Sequence, residues 1–183
     1  MKLILAVPVP EPIQQTIIEC YAKIRGDYPY FSWTSEPTYH ITVKNLGERE
    51  KDTLPYIIEA ISRSVYAIPP IYLTGQESRI LVGKGITLYL EFLRSKQLEN
   101  IRTNLSEYFS KREKGLEEQE YKPHITLAQY KLPSKQQYFH LKKKLKQTQP
   151  EIDFLTQEIV LYEAITTSTN PIYEKIHTFE LVE

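Results

Sequence analysis

The sequence predicts one domain of mixed strands and helices, built as two equivalent lobes. Two observations carry this. Short apolar runs with the two-residue alternation of strands take turns with longer stretches whose apolar residues recur at helical spacing. The tripeptide His-Ile-Thr also occurs twice, at His40-Ile41-Thr42 and His124-Ile125-Thr126, each time inside one of the strand runs. The copies lie 124 − 40 = 84 residues apart, and the same shift carries Leu3–Val7 onto Thr87–Glu91 and Ile17 onto Ile101. Strand, helix and His-Ile-Thr strand thus recur with almost no gap. Two copies are too few for a solenoid. A pseudo-twofold axis is the expected relation, and it would set the two histidines across a central cleft.

The elements follow in order. Leu3–Val7 reads as a buried strand, and Pro12 suits the first turn of the helix after it. Ile13, Ile17, Ile18, Tyr21 and Ile24 give that helix its apolar face up to Gly26. A stretch rich in Tyr and Pro, Asp27 to Tyr39, leads into the first His-Ile-Thr strand, which ends near Gly47. Glu48 to Tyr66 is helical, with Leu54, Ile57, Ile58 and Ile61 on one side and Pro55 in or near the first turn. Pro69-Pro70 precedes a strand at Ile71–Thr74, and Gly83-Lys84-Gly85 reads as a hairpin turn. Ile86–Phe92 alternates as a strand, and Ser95 caps a helix running to about Phe109. A charged loop, Lys111 to Glu120, is expected to be mobile before the second motif strand. A lysine-rich helix from Ser134 to about Gln147 and strands at Glu158–Thr166 and Glu174–Val182 complete the chain. The internal repeat spans approximately 1–75 and 84–150, with C-terminal strands at 157–183.

The bulk numbers narrow the function classes. The chain has 183 residues, 41% hydrophobic and 25% charged, which suits a soluble globular domain. Its 23 basic and 23 acidic residues cancel, which argues against coating long nucleic acid by phosphate neutralisation. Gripping a single phosphate or a strand end remains open. Cys20 is the one cysteine, so no internal disulfide and no thiol cluster for zinc can form. The apolar N-terminal run stops at Pro8, too short for a signal-peptide core or a membrane span. A cytoplasmic monomer without a membrane partner is expected.

The repeated motif carries the chemistry. Alternate residues of a strand share a face. Each copy therefore presents an imidazole and a hydroxyl side by side, while Ile41 and Val43, or Ile125 and Leu127, turn into a core. Two such pairs around one anion provide two proton-transfer groups and two hydroxyl donors. Free imidazole titrates near pH 6.5, so close to neutrality one ring serves as base and the other as acid. That is equipment for cleaving a phosphate ester with no metal. No carboxylate cluster has metal-ligand spacing, and no metal or cofactor is expected.

On these motifs the chain resembles the 2H phosphoesterase superfamily, and within it the bacterial and archaeal RNA 2′,3′-cyclic phosphodiesterases, historically called 2′-5′ RNA ligases. The likeness extends to Phe31-Ser32-Trp33, to the run His40 to Glu48, to Tyr121 through Ala128, and to Ile159–Ser168 with Tyr173 and the closing strand. It implies a bilobal α+β fold with two antiparallel sheets facing a cleft and helices outside. It implies hydrolysis of a 2′,3′-cyclic phosphate to a 2′-phosphate, on a nucleotide or an RNA 3′ end. His40, Thr42, His124 and Thr126 take the motif positions, with His124 as base and His40 as acid. Many members carry an Arg where this chain has Gln129. Lys44, on the face of Thr42, is then the expected source of charge, with Lys122 behind it and Lys131 a further candidate. Tyr39, Tyr121 and Tyr130 lie nearest the motifs and are the candidates for stacking on a base. Gln129 also keeps open a phosphodiesterase for 2′-5′-linked oligonucleotides or ADP-ribose cyclic phosphate. A reading of another class is a non-catalytic module that holds a nucleotide or RNA end. His140, among the lysines of its helix, reads as a solvated face, and His177, with no threonine two residues on, as structural or exposed. Trp33 reads as core.

Overall fold

Strands and helices alternate along the chain because its apolar residues change period. The structure, a computed structural model, describes residues 1–35, 38–110, 121–148, 150–167 and 171–182. The expected mobile loop 111–120 lies outside the described residues, as does Ser168 at the end of one strand run. In order come β1 (Lys2–Pro8), α1 (Glu11–Asp27), β2 (Ser32–Trp33), β3 (His40–Glu48) and α2 (Leu54–Val65). The second half has β4 (Ile71–Val82), β5 (Gly85–Phe92), α3 (Lys96–Ser110), β6 (His124–Lys131) and α4 (Lys135–Gln147). β7 (Asp153–Thr156), β8 (Glu158–Ile165) and β9 (Ile172–Glu180) close the chain.

Local chemistry sets the helix ends. Pro12 and Pro55 occupy the first turns of α1 and α2, where a missing N–H costs nothing. A short 3-10 turn at Lys51–Thr53 leads into α2, so the helix expected from Glu48 begins later. α4 opens on a capping box, with the Ser134 hydroxyl accepting from the Gln137 N–H and the Gln137 side chain accepting from the Ser134 N–H.

Nine strands form one antiparallel sheet of order β7-β4-β5-β6-β3-β1-β8-β9, with β2 paired to β6. The two sheets expected from the resemblance are thus joined. The join between β3 and β6 consists of a single residue pair, Ile41 with Ile125. On either side of it lie two four-stranded halves. β4 pairs with β5 through the hairpin, whereas β8 returns from the C-terminal part of the chain to pair with β1. A shift of 84 carries β1, α1 and β3 onto β5, α3 and β6.

Three strand segments were not anticipated. β2 and β7 are two and four residues long, below the length at which alternation can be read. β4 runs past the expected Thr74 to Val82 because a bulge at Gly75–Glu77 lets it follow β5 into the hairpin. Its turn at Gly83-Lys84-Gly85 is closed by Gly83 N–H donating to the Gly85 carbonyl at 2.8 Å. Leu5, Ile17, Ile41, Ile61, Leu88, Leu98, Ile125 and Leu161 are among the fully buried core side chains. Among the described residues, no helix is long and apolar enough to cross a membrane.

A Cβ on Gly85 would run into the backbone carbonyl of Tyr130 on the neighbouring strand, whereas one on Gly83 would meet no atom within 4 Å. Gly85→Ala should therefore lower the unfolding free energy by about 1–3 kcal/mol, as overpacking does. Gly83→Ala should change it by under about 0.5 kcal/mol. Urea denaturation of the two variants checks the contrast.

Candidate active site

His40 and His124 are the first residues of β3 and β6, so each ring stands at a strand entrance beside the seam. The Ile41–Ile125 pairing is antiparallel. That direction sets position 40 across from 126 and position 42 across from 124. Each histidine therefore faces the threonine of the other motif, and the four polar groups form the corners of one cleft.

The tautomers follow from backbone partners. His40 Nδ1 lies 2.7 Å from the Thr38 carbonyl oxygen and His124 Nδ1 lies 2.8 Å from that of Lys122. A carbonyl only accepts, so in each neutral ring Nδ1 carries the proton and Nε2 is left with a lone pair. Tyrosine edges prop both rings. Tyr173 meets His40 at 4.6 Å and 65°, and Tyr89 meets His124 at 5.2 Å and 64°.

Tyr173 belongs to β9, three strands from β3. Neighbouring strands lie ~4.8 Å apart, so a flat sheet would hold β9 roughly 14 Å from β3. The half-sheet must curl for these rings to touch, and the curl partly buries His40. Burial pushes the His40 imidazole below its ordinary 6.5, and the nearby His124 adds to this, while the Thr38 carbonyl works the other way. His124 is exposed at the cleft mouth.

A bulge follows each threonine. Ala6 of β1 stands opposite Thr42 and Leu5 opposite Lys44, which leaves Val43 as the extra residue. Tyr89 stands opposite Thr126 and Leu88 opposite Ala128, which leaves Leu127 extra. A bulge inverts the alternation beyond it. Gln129, opposite Thr87, is thereby turned back to the cleft, while Lys44 is turned away to the helix side. There Lys44 Nζ donates to Ser106 Oγ of α3 at 2.6 Å.

The cleft is lined by the four motif residues and Gln129, by Ser32, Thr34, Ser35 and Thr38 on one wall, and by Pro171 and Tyr173 on the other. Among the described lining residues there is no lysine, arginine or carboxylate. Arg79 of β4 sits in the strands beside His124 and is engaged by Glu77 at 2.5 Å and Glu91 at 3.1 Å. Among the described residues, no three His, Cys, Asp or Glu side chains gather to hold a metal.

Of the sequence candidates, the structure brings together His40, Thr42, His124 and Thr126, and it leaves six others off the cleft. Lys44 is removed by the bulge. Lys122 contributes its carbonyl to His124 while its side chain is exposed. Tyr39, one residue from His40, turns to the opposite face and is buried. Tyr130, next to Gln129, likewise turns inward and stacks on Phe31 at 4.6 Å. Tyr121 lies under Arg102, with the guanidinium 4.3 Å from its ring centre, and its hydroxyl donates to the Thr42 carbonyl at 3.1 Å. Lys131 sits over the Tyr130 ring at 5.8 Å and does not line the cleft. His140 is exposed on α4, and His177 packs on Phe179, both away from the cleft. Trp33 is core, its Nε1–H donating to the Tyr28 carbonyl at 2.8 Å. The residues that sequence reasoning missed are Ser32, Thr34, Ser35, Thr38, Pro171 and Tyr173. The hydroxyl-rich run Ser32–Thr38 was the available signal for the first group. Tyr173 has none in its local sequence, because the curl of the sheet delivers it.

A family model described as the 2′-5′ RNA ligase superfamily matches residues 9–166. The chain belongs to that superfamily, the 2H phosphoesterases. Among its relatives is the RNA 2′,3′-cyclic phosphodiesterase of Methanocaldococcus jannaschii, 28% identical, with 96% of this chain and 98% of that one covered. The RNA 2′,3′-cyclic phosphodiesterase of Thermotoga maritima is 26% identical over 97% of this chain and 94% of its own. The crystal structure of TT0787 of Thermus thermophilus superposes with a TM-score of 0.78 at 21% identity, over 99% and 98% of the two chains. That of E. coli LigT complexed with 3′-AMP gives 0.78 at 17%, over 100% and 98%. These likenesses place the α+β superfamily fold on the whole described chain.

The His40 signal, followed by NMR, should have its midpoint below 6.5. Tyr173→Ala, which opens the ring to water, should raise it toward that value, since burial is the main cause of the shift. Because the folded pKa is the lower one, this group favours folding above the unfolded value. That contribution is lost as the pH falls between the two.

Proposed function

We propose that this phosphoesterase-family protein hydrolyses 2′,3′-cyclic phosphates, on RNA ends or on nucleotides, to 2′-phosphates, with His40 and His124 as the acid–base pair and no metal. The observation that carries this reading is the paired presentation of two Nε2 atoms, each opposite a threonine hydroxyl, around one cleft. The names of the relatives, RNA 2′,3′-cyclic phosphodiesterases, support the substrate class.

In-line displacement needs a base behind the attacking water and an acid beyond the leaving oxygen. Groups at opposite corners of the cleft meet that need. The neutral imidazole takes a proton from water as its oxygen bonds to phosphorus. The bond from phosphorus to O3′ breaks, and the imidazolium of the second ring gives its proton to O3′. Thr42 and Thr126 hydroxyls donate to the equatorial oxygens as negative charge grows there. One ring ends protonated and the other neutral, and proton exchange with water restores the starting state.

Among the described residues, a lining of hydroxyls and the neutral Gln129 leaves the imidazolium as the main positive charge offered to the anion. This suits a phosphodiester, which carries one negative charge, better than a phosphomonoester, which carries two near neutrality. The resemblance assigns His124 as base and His40 as acid. The burial of His40 favours the opposite order, because the ring kept neutral in the free protein is the one ready to accept a proton.

Activity should persist in EDTA and yield 2′-phosphates. His40→Ala and His124→Ala should each lose about 10²–10⁴-fold in turnover, the usual worth of general acid–base catalysis. An analogue with sulfur at the leaving position departs unprotonated and so rescues only the variant that lacks the acid. Rescue of His124→Ala establishes His40 as base, and rescue of His40→Ala restores the order implied by the resemblance. Full activity in both alanine variants would remove the mechanism. Turnover only of 2′-5′-linked oligonucleotides or ADP-ribose cyclic phosphate would move the substrate, and tight binding without turnover would favour a binding module.

A further inference from the structure

Four backbone carbonyls at the two bulges each accept a hydrogen bond from a group outside their own strand. The Thr42 carbonyl accepts from the Tyr121 hydroxyl at 3.1 Å, and the adjacent Val43 carbonyl accepts from Arg102 Nη1 at 2.6 Å. The Thr126 carbonyl accepts from the Thr34 hydroxyl at 2.9 Å, and the adjacent Leu127 carbonyl from the Thr34 N–H at 2.9 Å. The positions correspond, since 126 − 42 and 127 − 43 are both 84.

The direction of these bonds is reciprocal. Thr34 lies in the segment entering β3 and holds the motif on β6. Tyr121 lies in the segment entering β6 and holds the motif on β3. The bonds therefore cross between the two motifs in both directions, beside the single β3–β6 pair of Ile41 with Ile125 and the short β2–β6 pairing of Ser32 and Trp33. Burial pushes the Tyr121 phenol well above its ordinary range, so its hydroxyl stays protonated and remains a donor at any working pH. Arg102, stacked on the same ring, fixes the direction of the donor.

We infer that Thr34 and Tyr121 are positioning residues for the hydrolysis proposed above, each holding across the seam the bulged backbone that aims the other motif's threonine at the phosphate. The inference rests on that hydrolase reading. Its chemical basis is the steep dependence of rate on placement, where an error near 1 Å costs on the order of 10²-fold. Neither residue needs to touch the reacting atoms.

The test uses the full chain with Tyr121→Phe, which keeps the ring under Arg102, Thr34→Val, Thr34→Ser and the Tyr121→Phe/Thr34→Val double variant. Carbonyl ¹³C resonances of Thr42 and Thr126 report the two hydrogen bonds directly. Tyr121→Phe should move the Thr42 signal and Thr34→Val the Thr126 signal. Each should lower kcat by about tenfold, with KM within about twofold, on uridine 2′,3′-cyclic phosphate, because alignment and not binding is lost. Thr34→Ser should restore kcat. The double variant should lose less than the product of the two, since both free the same seam. Unmoved carbonyl signals overturn the inference, and so do moved signals with an unchanged kcat. A purely structural role would instead lower the unfolding midpoint and leave kcat alone. A wild-type protein inactive on every cyclic phosphate would overturn the hydrolase reading and the catalytic role with it. The carbonyl signals would still decide whether the bonds across the seam exist.

Discussion

The pairing of Ile41 with Ile125 is the contact on which the site depends. Both side chains are fully buried, so the junction of the two half-sheets is anchored in the core. Because pairing stops after one residue on each strand, β3 and β6 diverge on either side of it, and the divergence is the cleft. The antiparallel direction at that one pair then places each histidine opposite the other motif's threonine. A longer ladder would have closed the cleft.

The bulges are the second constraint, and their consequences reach further than local twist. An extra residue at Val43 sends Lys44 to the helix side, where it bonds to Ser106. An extra residue at Leu127 returns Gln129 to the cleft. The same irregularity thus removes a cation from one side of the site and delivers a neutral amide to the other. At the bulges Thr34, Tyr121 and Arg102 donate to backbone carbonyls. What looks like repair of a broken ladder also ties the two motifs to each other.

The electrostatic character of the cleft follows. Its described lining is hydroxyl, amide and imidazole. Curling of the half-sheet brings Tyr173 onto His40 and removes water from that ring, so the two chemically identical motifs face different environments. Pseudo-symmetry supplies two equivalent groups, and unequal burial sets them in different surroundings, pushing the His40 ring toward its neutral form.

The amino-acid sequence by itself determined the order of the helices and of the strands other than β2 and β7, the 84-residue repeat and the four motif side chains, because these depend on periodicity and on residues a few positions apart. Leu3–Val7, Ile86–Phe92 and the capping Ser95 are legible for the same reason. Only the tertiary structure decided that β3 and β6 share one bridge, that β8 returns to pair with β1, and that Tyr173 reaches His40. It also decided against Lys44, Lys122, Tyr39, Tyr121 and Tyr130 as cleft residues. Strict alternation assigns Lys44 to the face of Thr42, but a bulge is a property of pairing between strands. It depends on which residue of a distant segment stands opposite, and no window along one strand contains that partner.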